Sequence, residues 1–320
     1  MLYAILKIVV RLARPIFCRR IVVDRPEMLL QQGPLLLACN HPNSFLDAVM
    51  LDILFGQPIW SLARGDVFKN RFITRLLTSL RMLPVYRVSE GVENLSSNYE
   101  TFDACKRVFA NGGIVLIFSE GRCINEWRLR PLKKGTARLA ISSWEQGIPL
   151  RVLPVGINYN SFRRFGKNVF IHFGEMIEKD ALNWNESEGL RMQSFNALLQ
   201  QQLRELVYVI DKHDKETLRR KFWIRQPLLK RILLAIPAAI GWLVHWPLYF
   251  PVQRFTYSRT AHNDHYDSVL VALLLFAYPV YLLLVATTMY IITERLFSFG
   301  VLFLFPFTAW CYVQVKPQMD

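Results

Sequence analysis

Two residues early in the chain have the types and spacing for proton transfer: His41 and Asp47. A neutral imidazole takes a proton from an alcohol, and a carboxylate on its other nitrogen fixes the tautomer and stabilises the imidazolium that forms. Six residues of unbroken α-helix turn through about 240°, so the pair meets only if His41 precedes the helix and folds back. Pro42-Asn43-Ser44 supplies the break. Asn and Ser are N-cap types, and Ser44-x-x-Asp47 has the form of a capping box. A regular helix is therefore predicted to open at Ser44 or Phe45, with His41 in an elbow behind the apolar run Leu35–Cys39.

Cations stand at other strand ends. Arg87 follows the strand-like run 83–86, and Arg122 follows Ile114–Phe118, the most strand-like run in the chain. If these strands are parallel neighbours of Leu35–Cys39, both guanidiniums reach the sheet edge that carries His41. Arg suits bidentate capture of a phosphate there. Glu120 would pair with one of them or accept a substrate hydroxyl. Lys134, at the start of a predicted helix, adds charge beside free backbone amides. No G-x-S-x-G elbow, G-x-G-x-x-G, Walker loop or H-E-x-x-H occurs, so Ser44 is read as a cap and not as a nucleophile. The five cysteines are scattered and never form C-x-x-C, which argues against both a disulfide framework and a metal site.

The elements that must position these groups alternate strand and helix from about residue 20 to 212. That pattern predicts an α/β fold with a mostly parallel central sheet flanked by helices. Residues 1–19 form an amphipathic membrane-surface helix in this reading, with Lys7, Arg11 and Arg14 on one stripe in the headgroup region. Residues 213–231 are a basic linker, and 232–320 a membrane-associated helical region. Residues 269–292 contain no Asp, Glu, Lys or Arg, long enough to span a hydrocarbon core of ~30 Å, and they pair with 296–315 as a transmembrane hairpin. Residues 232–250, rich in Pro and Trp, suit either a span or an interfacial segment. The net charge of +14 beside 52% hydrophobic residues calls for an anionic membrane surface as partner. Nucleic acid is excluded as a partner by the absence of finger or ribonucleoprotein signatures. The basic linker puts the catalytic domain on the cytosolic side.

Four blocks, Asn40-His41-Pro42-Asn43-Ser44-Phe45-Leu46-Asp47, Pro84-Val85-Tyr86-Arg87, Phe118-Ser119-Glu120-Gly121-Arg122 and Leu153-Pro154-Val155-Gly156, occur in the order seen in glycerolipid acyltransferases. Over about residues 34–175 the chain resembles that family, which includes lysophosphatidic acid and glycerol-3-phosphate acyltransferases. The resemblance implies a membrane-bound transfer of a fatty acyl group, with no cofactor beyond the acyl-CoA or acyl carrier protein thioester. The acceptor would be a hydroxyl of glycerol-3-phosphate, 1-acylglycerol-3-phosphate or another lyso-lipid. His41 would be the base and Asp47 its partner. Arg87, Glu120, Gly121, Arg122 and Lys134 would hold the acceptor phosphate, and Pro154, Val155 and Gly156 would form the floor beside the acyl chain. The chain departs from the family in having five residues between His41 and Asp47 where four are usual, and the extra residue is read as loop. It also lacks the usual small hydroxyl residue after Gly121, which brings the third block closer to the glycerol-3-phosphate or dihydroxyacetone-phosphate branch. A rival of another class is a membrane adaptor or transport component, disfavoured because residues 269–292 bring no charge into the membrane.

Overall fold

The two most apolar runs lie side by side in the sheet, as β2 (Leu35–Cys39) and β5 (Ile114–Phe118). In chain order the other strands are β1 (Cys18–Val23), β3 (Ile59–Arg64), β4 (Met82–Val85), β6 (Arg151–Tyr159) and β7 (Lys167–Phe173). The computed structural model describes residues 2–86 and 97–319. The seven strands run in the order β1-β7-β6-β2-β5-β3-β4, and every adjacent pair is parallel except β6 with β7. β2 pairs with β5 on one edge and β6 on the other, so its backbone is satisfied on both sides and its five side chains are all buried.

Alternation along β2 divides the core into two layers. Leu35, Leu37 and Cys39 face the layer that also holds Leu46, Met50 and Leu51 of α2 (Phe45–Leu54). Leu36 and Ala38 face the opposite layer, with Leu139 and Trp144 of α5 (Gly135–Glu145) and Phe195 and Leu199 of α6 (Glu188–Leu206). Among the described residues the α/β region also contains α3 (Arg71–Ser79) and α4 (Ser97–Ala110).

The structure adds detail at three places near the ends of the chain. The first helix, α1 (Leu2–Phe17), stops before Cys18 and Arg19, which already belong to β1. Its basic stripe turns inward: Lys7 Nζ donates to Phe55 O at 3.2 Å and Arg11 Nε to Ile53 O at 2.7 Å. Cations placed on the last carbonyls of a helix are favourable, and here they tie α1 to the end of α2. The exposed face is the apolar one, with Ile8 and Leu12 outward. Next, the basic linker contains a helix, α7 (Lys215–Phe222), which buries Leu218 and Phe222. Finally, residues 232–250 lie within one continuous helix of 33 residues, α8 (Leu228–Thr260), despite Pro237, Pro247 and Pro251. With α9 (Tyr266–Thr293) and the stretch Leu296–Val315 containing α10 (Val301–Val315), three helices are long and apolar enough to cross a membrane.

Candidate active site

Helix α2 opens at Phe45, so His41 lies outside it, in the elbow that leaves β2. The imidazole folds back as the spacing demands: His41 Nδ1 is 2.9 Å from Asp47 Oδ2. Asp47 is fully buried. The His41 ring stacks on Phe118, centroids 3.8 Å apart and planes at 10°, so the end of β5 sets its orientation. With Nδ1 committed to the carboxylate, Nε2 is the nitrogen left to accept a proton. The location follows the rule for open α/β sheets, in which ligands meet the carboxyl ends of parallel strands.

The elbow is held differently from the capping box that the sequence suggested. Ser44 has a φ of 54° and makes no side-chain cap bond to the helix. A left-handed backbone costs a residue with a Cβ about 1–3 kcal/mol and persists only where the surroundings impose it. Here its N–H donates to Cys123 Sγ at 2.9 Å, and its hydroxyl lies 2.7 Å from His265 Nδ1. The Cys123 thiol, its pKa raised by burial and by the Asp47 charge, remains protonated. Asn43, read from sequence as loop slack, is instead fully buried and bridges two carboxylates. Its backbone N–H donates to Asp47 Oδ2 at 2.8 Å, and its side-chain amide donates to Asp267 Oδ2 at 2.8 Å.

Glu120 is also reassigned by its contacts. One carboxylate oxygen accepts the His41 N–H at 2.7 Å and the other accepts the Arg130 N–H at 2.7 Å. A carboxylate so placed pins the elbow to the loop after β5, and its charge would repel a phosphate. Burial raises its pKa against the opposing pull of the two amides. Gly121 turns with φ +65°, and a Cβ there would meet Lys133 Cγ at 3.0 Å. Lys133 is therefore the lysine that lies against the turn. Arg122, Lys133 and Lys134 are all exposed, beside β5 and at the start of α5. Arg87 lies outside the described residues.

The fourth block does not form an open floor. Val155 is fully buried in the sheet core, and Pro154 packs against Gly174. Gly156 sits so close to α6 that a Cβ would lie 2.5 Å from Leu206 O. All three residues serve the close packing of β6. Asn40 completes the brace, its side-chain amide exchanging hydrogen bonds with Ile157 N and O at 2.8 and 3.0 Å.

A second group of residues around the elbow comes from the turn between α8 and α9 and from the first turn of α9, far away in sequence. Asp267 pairs with Lys167, both only 2% exposed, while accepting the Asn43 amide. Ser268 Oγ accepts from Leu46 N at 3.1 Å and donates to Asn43 O at 3.3 Å. Asp264 Oδ1 accepts from Asn125 N at 3.1 Å, and Asn125 in turn donates to Pro42 O at 2.7 Å. Tyr159 is a further neighbour, its phenol fully buried and held protonated by burial and by the Asp47 charge. The available sequence signal was Asp267 itself, the acid in the first turn of an otherwise uncharged helix.

Residues 20–158 match the acyltransferase family model, a span that includes His41, Asp47 and Glu120. No curated protein matches the chain significantly in sequence. The fold is similar to the crystal structure of the 1-acyl-sn-glycerophosphate (LPA) acyltransferase PlsC from Thermotoga maritima, with a TM-score of 0.43 and 16% identity over 64% of this chain and 74% of that one. The residues that match the acyltransferase family model, 20–158, are the part of the chain built around the His41–Asp47 elbow.

Proposed function

We propose that this acyltransferase moves a fatty acyl group from a thioester, acyl-CoA or acyl carrier protein, to a hydroxyl of a phosphorylated glycerol or lyso-lipid acceptor. The observation that carries the reading is the 2.9 Å contact of His41 Nδ1 with a fully buried Asp47, inside the matched family domain. Asp47 keeps the imidazole in the tautomer whose Nε2 is basic. The acceptor hydroxyl gives its proton to Nε2 as its oxygen bonds to the thioester carbonyl carbon. The C–S bond then breaks, and the departing thiolate takes the proton back from the imidazolium. Base catalysis of this kind contributes ~10²–10⁴-fold, and much of the remainder comes from holding two substrates in line.

Arg122, Lys133 and Lys134 support a phosphorylated acceptor, because they put exposed cations around the turn after β5, next to the strand that leads to His41. Arg87 joins them on the grounds of its block. Glu120 serves the elbow and not the phosphate. The cations at 219–231, just before α8 and in its first turn, support a cytosolic catalytic domain above an anionic leaflet.

The test uses purified full chain with labelled acyl-CoA or acyl carrier protein. Glycerol-3-phosphate, 1-acylglycerol-3-phosphate and non-phosphorylated lyso-lipids are offered separately. Label is expected in a phosphorylated acceptor. Label found only in the non-phosphorylated lyso-lipids would overturn the assignment of the cations.

A further inference from the structure

A cavity of about 590 Å³ lies between α1 and the three long helices, apart from the site above: none of His41, Asp47, Glu120 or Arg122 lines it. Its volume falls within the ~300–1,000 Å³ of ordinary ligand pockets. The walls are apolar and aromatic, among them Ala13 and Phe17 of α1, Trp246 and Tyr249 of α8 and Tyr278 of α9. At the end where the helices meet the α/β domain stand Arg163 and Arg164, from the β6–β7 loop, and Lys316, just past α10; no Asp or Glu is part of the lining.

We propose that this cavity binds an anionic phospholipid of the bilayer, its acyl chain in the apolar body and its phosphate against Arg163, Arg164 and Lys316. Three arguments fix this occupant. The body is lined mainly by apolar and aromatic side chains, which suit an acyl chain better than water, since water needs several polar partners per molecule. The wall helices are the membrane-crossing candidates, and the exposed face of α1 is apolar, so the cavity borders lipid. Among the described residues that line it, the charge at its end is of one sign, which selects an anionic headgroup over a zwitterionic one. Lys316 Nζ donates to Phe165 O at 2.5 Å, and Arg164 donates to Met319 O, so two of the cations also fasten the loop and the C-terminal segment around the opening. His245 in the wall is already engaged, with Gly241 O at 2.7 Å and Tyr278 Oη at 3.0 Å, and brings no competing charge requirement.

The proposal is independent of the acyl-transfer reading, and its test contains no turnover. Purified full chain in detergent is given equimolar phosphatidylglycerol and phosphatidylcholine with the same acyl chains, and retained lipid is counted by native mass spectrometry. Wild type is expected to keep phosphatidylglycerol in preference. Arg163→Gln, at an exposed side chain, should reduce that preference about fivefold, the effect of one cation near a lipid surface. Ala13→Trp, which fills the cavity and leaves its charges in place, should abolish retention. Equal retention of the two lipids by wild type would overturn the proposal, because it describes lipid held only around the outside. Unchanged retention in Ala13→Trp would overturn it as well. If Ala13→Trp does not fold, the Arg163→Gln arm decides alone: an unchanged preference sinks the headgroup site.

Discussion

The elbow that carries His41 is gripped from two sides, and the two grips have different origins. The inner one belongs to the α/β domain: Asp47 holds the ring and the Asn43 amide, and Glu120 holds the His41 amide. The outer one comes from residues 264–268, at the entrance to a membrane-crossing helix, where Asp267 holds the Asn43 side chain and Ser268 bridges Asn43 and Leu46. Asn43 joins both, its backbone facing one carboxylate and its side chain the other. The inner grip selects which nitrogen is basic. The outer grip fixes where the loop that presents that nitrogen lies. The long helices are thus part of the frame of the site as well as a membrane anchor.

The comparison can be broken at several points, in order of decreasing effect. Asp47→Asn removes the charge that stabilises an imidazolium, and turnover should fall ~10²–10⁴-fold with the protein still folded; steady-state kinetics on purified variant measures this. Asp267→Asn attacks the outer grip and takes the carboxylate away from the buried Lys167 ammonium, a loss of about 3–5 kcal/mol of stability by chemical denaturation. Turnover should fall too, because Asp267 also accepts the Asn43 amide; adding Lys167→Met should recover part of the stability loss, whereas the lowered turnover should persist. Recovery of both together would mean that the outer grip is only structural.

Glu120→Gln exchanges one acceptor oxygen for an NH₂ group facing a backbone N–H, and should cost about 1–3 kcal/mol. Because burial raises the Glu120 pKa in the folded state, its ionisation opposes folding as pH rises through the carboxylate range, and the variant should lose that part of the pH dependence. The smallest effect belongs to His265. Burial lowers its pKa from 6.5 against the pull of Asp264, so below that pH the unfolded chain binds more protons than the folded one. Stability should therefore fall on acidification from about pH 7 to about pH 5, and His265→Gln should flatten that slope in a melting series.

Much of the inner grip was legible in the sequence because its parts are local. The runs Leu35–Cys39 and Ile114–Phe118 declare buried parallel strands, and Pro42-Asn43-Ser44 forces the helix to begin after His41. The outer grip was not legible, since it depends on contacts between residues 222 and 224 positions apart that no local pattern encodes. Without Asp267 in view, Asn43 had no visible partner and looked like slack. The contacts of Glu120 were hidden for a related reason: a carboxylate after a strand looks free until the two amides it serves are located. The Pro-containing α8 was ambiguous because proline argues against a helix in water, whereas a helix in lipid keeps its backbone satisfied through its neighbours. The fourth block was informative about packing of β6 against α6, where Gly156 approaches Leu206 too closely for a Cβ.

The central claim is that His41 Nε2 takes the acceptor proton, and His41→Ala tests it most directly. Wild type and variant, purified as full chains and matched in melting temperature and membrane retention, are compared for transfer of label from an acyl thioester to the preferred phosphorylated acceptor. The account predicts a drop in turnover of ~10²–10⁴-fold in the variant. A folded His41→Ala protein that keeps most of the wild-type turnover would contradict it.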